Sequence, residues 1–263
     1  MKKYFNVFKT EFINNLQYIP DIFIGAISYI LIIYIYFNLY SFIYSDSTSL
    51  INGYTYSQMV WYVVFTECFW SITKGRAIVR DISVDVKSGN IAYQLNKPYN
   101  YINYVISKYL SSSLFKLNIV FPAALVIGSI LIGFIPNFNI IGVITAIITA
   151  IMGVLISMII CITLGLCAFF MEDSNPLYWV YSKVILIVGT LFPIEFMPKF
   201  LQPILNYSPI FAINYGPAKL FVEYDPMFLL RVVITQIIYF IIFYIIAQLV
   251  YKKGVKNINV NGG

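Results

Sequence analysis

An all-α membrane protein with six transmembrane helices is the fold class this sequence predicts, and three observations carry the prediction. Of its 263 residues 60% are hydrophobic and only 11% charged, whereas soluble domains carry about a quarter charged residues. Between Leu117 and Met171 lie 55 residues without one Asp, Glu, Lys or Arg; a helix needs only about 20 residues to cross a hydrocarbon core about 30 Å thick, so this run crosses twice. Histidine is absent, which removes the commonest general base and metal ligand and argues against zinc proteases, haem carriers and His-dependent membrane hydrolases. Residues 1–263 read as one transmembrane domain.

The elements follow in chain order. Phe5, Phe8, Phe12, Leu16 and Ile19 recur every three or four residues, one face of a basic amphipathic helix suited to the membrane interface, which Pro20 ends. Span 1 is Ile22 to Ile43, too long for a signal-peptide core and without a small-residue cleavage site. Ser45 to Gln58 is a loop with no basic residue, and span 2, about Tyr54 to Thr73, contains one acid, Glu67. Span 3 is Leu117 to Ile135. The Gly, Pro and Asn content of residues 133–139, GFIPNFN, predicts a tight turn. Span 4 runs from Ile140 to about Met171, span 5 from Leu177 to Ile194, and span 6 from Val232 to Tyr251.

Basic residues set the orientation. Of the 17 Lys and Arg, only Lys199, Lys219 and Arg231 fall on one side, leaving 14 on the other, which puts both termini and the connection between spans 2 and 3 in the cytoplasm. Anionic lipid on that leaflet accounts for the net charge of +6 without a nucleic-acid partner. Cys68, Cys161 and Cys167 lie in apolar segments without metal-ligand spacing and read as small core residues.

Two segments stand apart from the spans. In residues 76–87 the side chains of Ile78, Ile82 and Val86 share a helix face, with Arg76, Arg80, Asp81, Asp85 and Lys87 elsewhere. Ser88-Gly89 stops this helix, Asn90 caps a second short one over Ile91 to Leu95, and Pro98 ends that one. The pair reads either as an interfacial anchor or as a docking element for a cytoplasmic protein, with Ile91 and Leu95 as its exposed apolar residues. Residues 192–226 hold six of the 11 prolines, which excludes a regular spanning helix and predicts short helices dipping into the outer leaflet, either a structural reentrant loop or the outer lid of a substrate path.

The pattern G-N-I-A-Y-Q-L-N-K-P at Gly89 to Pro98 and the proline spacing at 193, 198, 203 and 209, together with six spans and an initial interfacial elbow, resemble the ABC-2 type permeases of bacterial ABC exporters. The resemblance covers nearly the whole chain. It implies a permease that pairs with a second permease, identical or paralogous, and with cytoplasmic ATPase subunits. It also implies that the segment between spans 2 and 3 is the coupling helix, with Ile82, Val86, Gly89, Asn90, Ile91, Tyr93, Leu95 and Pro98 in contact with the ATPase. Pro193, Glu195, Pro198, Pro203 and Pro209 would form the extracellular lid. The chain has no G-x-x-x-x-G-K-[ST], so ATP and magnesium belong to the ATPase partner and this chain binds no cofactor itself.

Glu67, the one acid well inside a span, faces a partner, a cavity or a substrate, or is protonated or hydrogen-bonded to a neighbouring helix. It is the residue of the translocation path in the permease reading. In the alternative reading, a secondary transporter or channel, it is the proton or cation site. An enzyme is disfavoured by the missing histidine and by Glu172 and Asp173, adjacent acids at a helix end that suit solvent better than catalysis. The substrate is not legible in lipid-facing composition.

Overall fold

The computed structural model describes residues 2–44, 50–171 and 173–261, with only the backbone described for Asp21, Leu95 and residues 257–261. The described residues are all-helical, without a strand. Helix α1 (Lys2–Asn14) leads through a 3-10 turn at Asn15–Tyr18 into α2 (Ile19–Ile43). Pro20 therefore opens α2 instead of closing α1, since its missing N–H is no loss in the first turn of a helix.

Of the loop expected over Ser45 to Gln58, residues 45–49 lie outside the described residues. Beyond them Asn52 and Gly53, at φ 50° and 88°, make a tight turn. Thr55 then caps α3 (Tyr56–Ile72): its hydroxyl accepts from the Gln58 N–H at 3.3 Å, and the Gln58 side chain accepts from the Thr55 N–H at 3.0 Å. This capping box starts the helix two residues later than hydropathy alone suggests.

After α4 (Gly75–Lys87) and α5 (Asn90–Leu95), Asn100 caps α6 (Tyr101–Ile132) by accepting from the Asn103 N–H at 3.1 Å. The expected span 3 began at Leu117, because Lys108 and Lys116 interrupt the apolar run. The helix extends 16 residues further back because α1 packs along it: Ser111 donates to the Phe8 carbonyl at 2.7 Å, and the Phe12 and Phe115 rings meet edge to face at 5.1 Å.

The predicted turn at 133–139 forms, with Gly133 at φ 90° and Asn137 at φ 52°, and leads into α7 (Ile140–Leu166) and a 3-10 turn at Cys167–Phe169. Helix α7 is the centre of the molecule: 61% of its most apolar window is buried, against 11% for the last helix. That burial explains an uninterrupted apolar sequence that alternates with no polar face.

Among the described residues four helices are long and apolar enough to cross a membrane: Ile22–Ile43, Tyr101–Ile132, Ile140–Phe169 and Pro226–Lys256. The other two expected spans are shorter. The 17 residues of α3 reach about 26 Å. Helix α8 (Asn175–Ile187) has 13 residues, about 20 Å, and stops well before Ile194. It stops because Val188 turns extended and Gly189 takes φ 91°, so the chain folds back on itself.

The proline-rich region breaks as expected into a 3-10 turn at Ile194–Phe196, α9 (Gln202–Asn206) and a second helical run from Pro209 that passes through a π turn at Phe211–Tyr215 into α10 (Gly216–Val222). Asp225 then caps α11 (Pro226–Asn261), accepting from the Met227 and Phe228 N–H groups at 3.1 and 3.2 Å. Phe221 of α10 stacks on Phe65 of α3 at 4.5 Å, so this short helix is core and not surface.

Side-chain contacts sort the two ends of the bundle. At one end Lys3 bonds to the Pro98 carbonyl, Asn100 to Gln248 and Lys108 to Asp81. At the other, Lys219 pairs with Glu195 and Arg231 donates to the Asn206 carbonyl. Cys68 and Cys161 are buried as expected, whereas Cys167 is half-exposed.

Candidate functional site

The strongest sequence-predicted element, α4 with α5, is built into the bundle on one side and open on the other. Gly75, Ile78, Val79, Ile82 and Ser83 are buried, and α4 packs along the end of α7. Its polar flank is stapled to α6, where Asp81 accepts from Tyr109 at 2.5 Å and Asp85 accepts from Tyr101 at 2.8 Å. Gly89 sits at φ 75°, a left-handed position that costs glycine nothing and other residues strain. It is also the N-cap of α5. Asn90, expected to be that cap, is the first residue of the helix and makes no side-chain cap bond.

Two expected contact residues are not on the open side. Ile91 is fully buried and Ile82 nearly so, so both hold the element to its own chain. The reason is that α5 folds back under α4, placing Ile91 inward immediately after the turn. Val86 is half-buried, and the Leu95 side chain is outside the described residues. What faces out is Gly89, Asn90, Tyr93 and Pro98 of the expected set, together with Val84. Val84 is 55% and Tyr93 66% exposed, two apolar knobs on either side of the Ser88-Gly89 turn. Lys97 lies 4.7 Å over the Tyr93 ring and holds it in place.

At the opposite end Glu195, of the expected lid set, gathers side chains from outside that set. Its carboxylate accepts from Lys219 at 2.6 Å, Tyr215 at 2.5 Å and Tyr54 at 3.3 Å, while Gln202 donates to its backbone carbonyl at 3.2 Å. Pro193 precedes the 3-10 turn, Pro203 opens α9 and Pro209 opens the second helical run, each at a helix start where proline is tolerated. Pro198 begins the turn before α9, its carbonyl accepting from the Leu201 N–H at 2.8 Å.

Sequence reading assigned no role to the groups that hold this region at depth. Tyr62 donates to the Gly189 carbonyl at 2.7 Å, Thr66 to the Thr190 carbonyl at 2.9 Å, and Tyr40 to the Leu191 carbonyl at 2.7 Å. Gln236 of α11 donates to the carbonyls of Thr149 at 2.7 Å and Ala212 at 2.9 Å, joining α7 to the π turn. At their crossing, Gly153 lies so close that a Cβ built on it would be 2.3 Å from the Ile213 carbonyl oxygen. The one signal for these contacts was polar residues placed singly inside apolar runs.

Glu67 is 3% exposed, lies near Tyr36 of α2, and its Oε1 has no hydrogen-bond partner. No group of His, Cys, Asp and Glu suited to a metal occurs among the described residues. Asp173, fully exposed, is held below the usual carboxylate range by hydrogen bonds from Asn175, the behaviour of a helix-start cap. Its expected neighbour Glu172 is outside the described residues.

Compared with known protein families, residues 8–262 match the family described as ABC-2 family transporter protein. The chain belongs to the ABC-2 transporter family. No curated protein gives a significant match. Membership covers nearly the whole sequence, so the open hairpin and the proline-rich region both lie inside the matched residues. It places the chain among membrane proteins of transport and not among enzymes, in the context of ABC transporters that work with an ATPase partner.

Proposed function

We propose that this ABC-2 protein is the permease subunit of an exporter in the cell membrane, moving its substrate outward with ATP hydrolysed on a separate cytoplasmic ATPase that holds the nucleotide and magnesium. A second permease, identical or paralogous, completes the path. Six crossings are made by α2, α3, α6, α7, α8 with the backbone that continues it, and α11, and both termini are cytoplasmic. The charge sorting supports that orientation, since Lys219 and Arg231 sit at the end away from Lys3 and Lys108.

The observation that carries the coupling role is the α4–α5 hairpin. It is bonded to α6 and packed on α7, yet presents Val84 and Tyr93 outward. A mere interfacial anchor would turn its apolar face to lipid, whereas here Ile78, Ile82 and Ile91 are turned inward. Motion imposed on the hairpin therefore passes to two spans directly.

Topology is tested by labelling in a variant whose three native cysteines are replaced. Cysteines at Asn52 and Asn206 react with an impermeant maleimide in intact cells, and one at Ser88 reacts only after permeabilisation; labelling of Ser88 in intact cells inverts the proposed orientation. Position Ser47, equally suited by sequence, lies outside the described residues. Energy coupling is tested by reconstitution with the ATPase partner, where inactivating that ATPase stops transport. Movement of substrate by this chain alone, driven by an ion gradient and lost in Glu67→Gln, replaces the permease reading with the secondary-transporter one.

A further inference from the structure

Between α4 and α8 lies a cavity of about 550 Å³ that the permease reading leaves unused. Three cationic side chains line it, Arg76 and Arg80 from α4 and Lys183 from α8, and among the described residues no carboxylate does. Arg76 and Arg80 are four residues apart and so share a helix face. Arg80 reaches Asp81 at 3.2 Å, but that same carboxylate also serves Lys108 at 3.8 Å and Tyr109 at 2.5 Å. Among the described residues neither Arg76 nor Lys183 has an acid within ion-pair distance. The cavity thus concentrates positive charge that its own walls do not neutralise.

Its shape is fixed by the chain and not by an occupant. At one edge Gly75 lets the helices meet, a Cβ there falling 2.8 Å from the Tyr178 ring. At the other, Ser83 and Ser174 share a hydrogen bond of 2.5 Å. Trp70 and Trp179 complete the lining, with Lys183 5.1 Å over the Trp179 ring. Leading away from it along α8, the side chains of Val180, Val184 and Ile187 are exposed and apolar. A basic recess rimmed by tryptophan at the end of an apolar track has the polarity of one lipid molecule.

We infer that this cavity binds the phosphate-bearing headgroup of an anionic lipid of the adjoining leaflet, with the acyl chains laid along α8. Guanidinium forks match phosphate oxygens with paired hydrogen bonds, and Lys183 supplies a point charge. On the orientation proposed above, the leaflet is the cytoplasmic one, where such lipids are concentrated. Bound there, the lipid ties α4 to α8 beside the hairpin. The site requires only that the chain sit in a bilayer, so it stands or falls separately from ATP coupling.

Two of the three tryptophans line the cavity, which makes fluorescence the direct readout. The full chain is placed in phosphatidylcholine bilayers with increasing phosphatidylglycerol brominated on its acyl chains. Quenching saturates at a low fraction of brominated phosphatidylglycerol, and brominated phosphatidylcholine quenches weakly. Arg76→Gln with Lys183→Gln binds roughly 20-fold more weakly, while Arg76→Lys with Lys183→Arg retains most of the binding. Lys252→Gln with Lys253→Gln, which removes as much charge elsewhere, has no effect. Thermal melting confirms that each variant is folded before it is compared. Equal quenching by the two lipids, or an Arg76/Lys183 variant indistinguishable from wild type, overturns the site. Reversal of quenching by low concentrations of glycerol 3-phosphate overturns the lipid and assigns the site to a soluble phosphate ester.

Discussion

Val84→Asp combined with Tyr93→Asp abolishes co-purification of the ATPase partner and substrate-stimulated ATP hydrolysis, while the permease itself reaches the membrane at near-normal level. Both side chains are more than half exposed, so the substitution costs the folded chain little. At an interface the balance reverses. Truncating one well-packed anchor costs about 2 kcal/mol or more, and burying an unpaired carboxylate adds to that. Two such changes weaken assembly by well over roughly 100-fold. Ile91→Asp is the control that separates docking from folding. Ile91 is buried in its own chain, so that variant loses folded protein and not merely the partner. Intact co-purification in the Val84/Tyr93 variant would mean that the hairpin is only an interfacial anchor.

Gly153→Ala lowers stability by about 2 kcal/mol, the balance of two opposed effects. Alanine favours a helix over glycine by about 1 kcal/mol. Against this, the new methyl would lie 2.3 Å from the Ile213 oxygen and 3.1 Å from its carbonyl carbon. Both are backbone atoms inside a helical run, so no side-chain rotation relieves the clash. The run from Pro209 must move off α7, and overpacking of this kind costs typically 1–3 kcal/mol; the same movement pulls Ala212 from Gln236 and adds a lost hydrogen bond. Gly25→Ala, with nothing within 4 Å of the new methyl, keeps the helix gain alone and is neutral or slightly stabilising. Thermal unfolding in detergent checks the pair, and equal melting of the two variants contradicts the close crossing of α7 and the π turn.

Much of this architecture was legible, for identifiable reasons. Hydropathy finds α2, α7 and α11 because nothing but apolar surface suits a lipid-facing or fully buried helix. The turn at 133–139 and the stop at Gly89 are written in residues that adopt positive φ. Three features resisted. The end of α8 is invisible because apolar residues continue through Ile194, and Gly189, which turns the chain, looks like any glycine in a span. The burial of Ile91 depends on the angle at which α5 returns beneath α4, which no local spacing encodes. The Glu195–Lys219 pair joins residues 24 apart through folding that prolines announce without specifying. At the candidate site, periodicity correctly marked α4 as amphipathic. It could not say whether the apolar face meets lipid, a partner or the rest of the chain, because all three reward the same pattern.

The hydrogen bonds from Tyr40, Tyr62 and Thr66 to the carbonyls of residues 189–191 also constrain how the protein can move. These carbonyls have left the helical ladder, and an unsatisfied carbonyl in hydrocarbon costs several kcal/mol. Any rearrangement that slid α3 past the loop would strip the two bonds from Tyr62 and Thr66 at once, and one that moved α2 away would strip the third, with no water to replace the lost donors. Carrying the loop along as part of the same rigid body strips none. Hinging is therefore displaced from the loop itself to the segments that leave it, and transport must work as the relative movement of blocks, with α2, α3 and the loop they hold travelling as one.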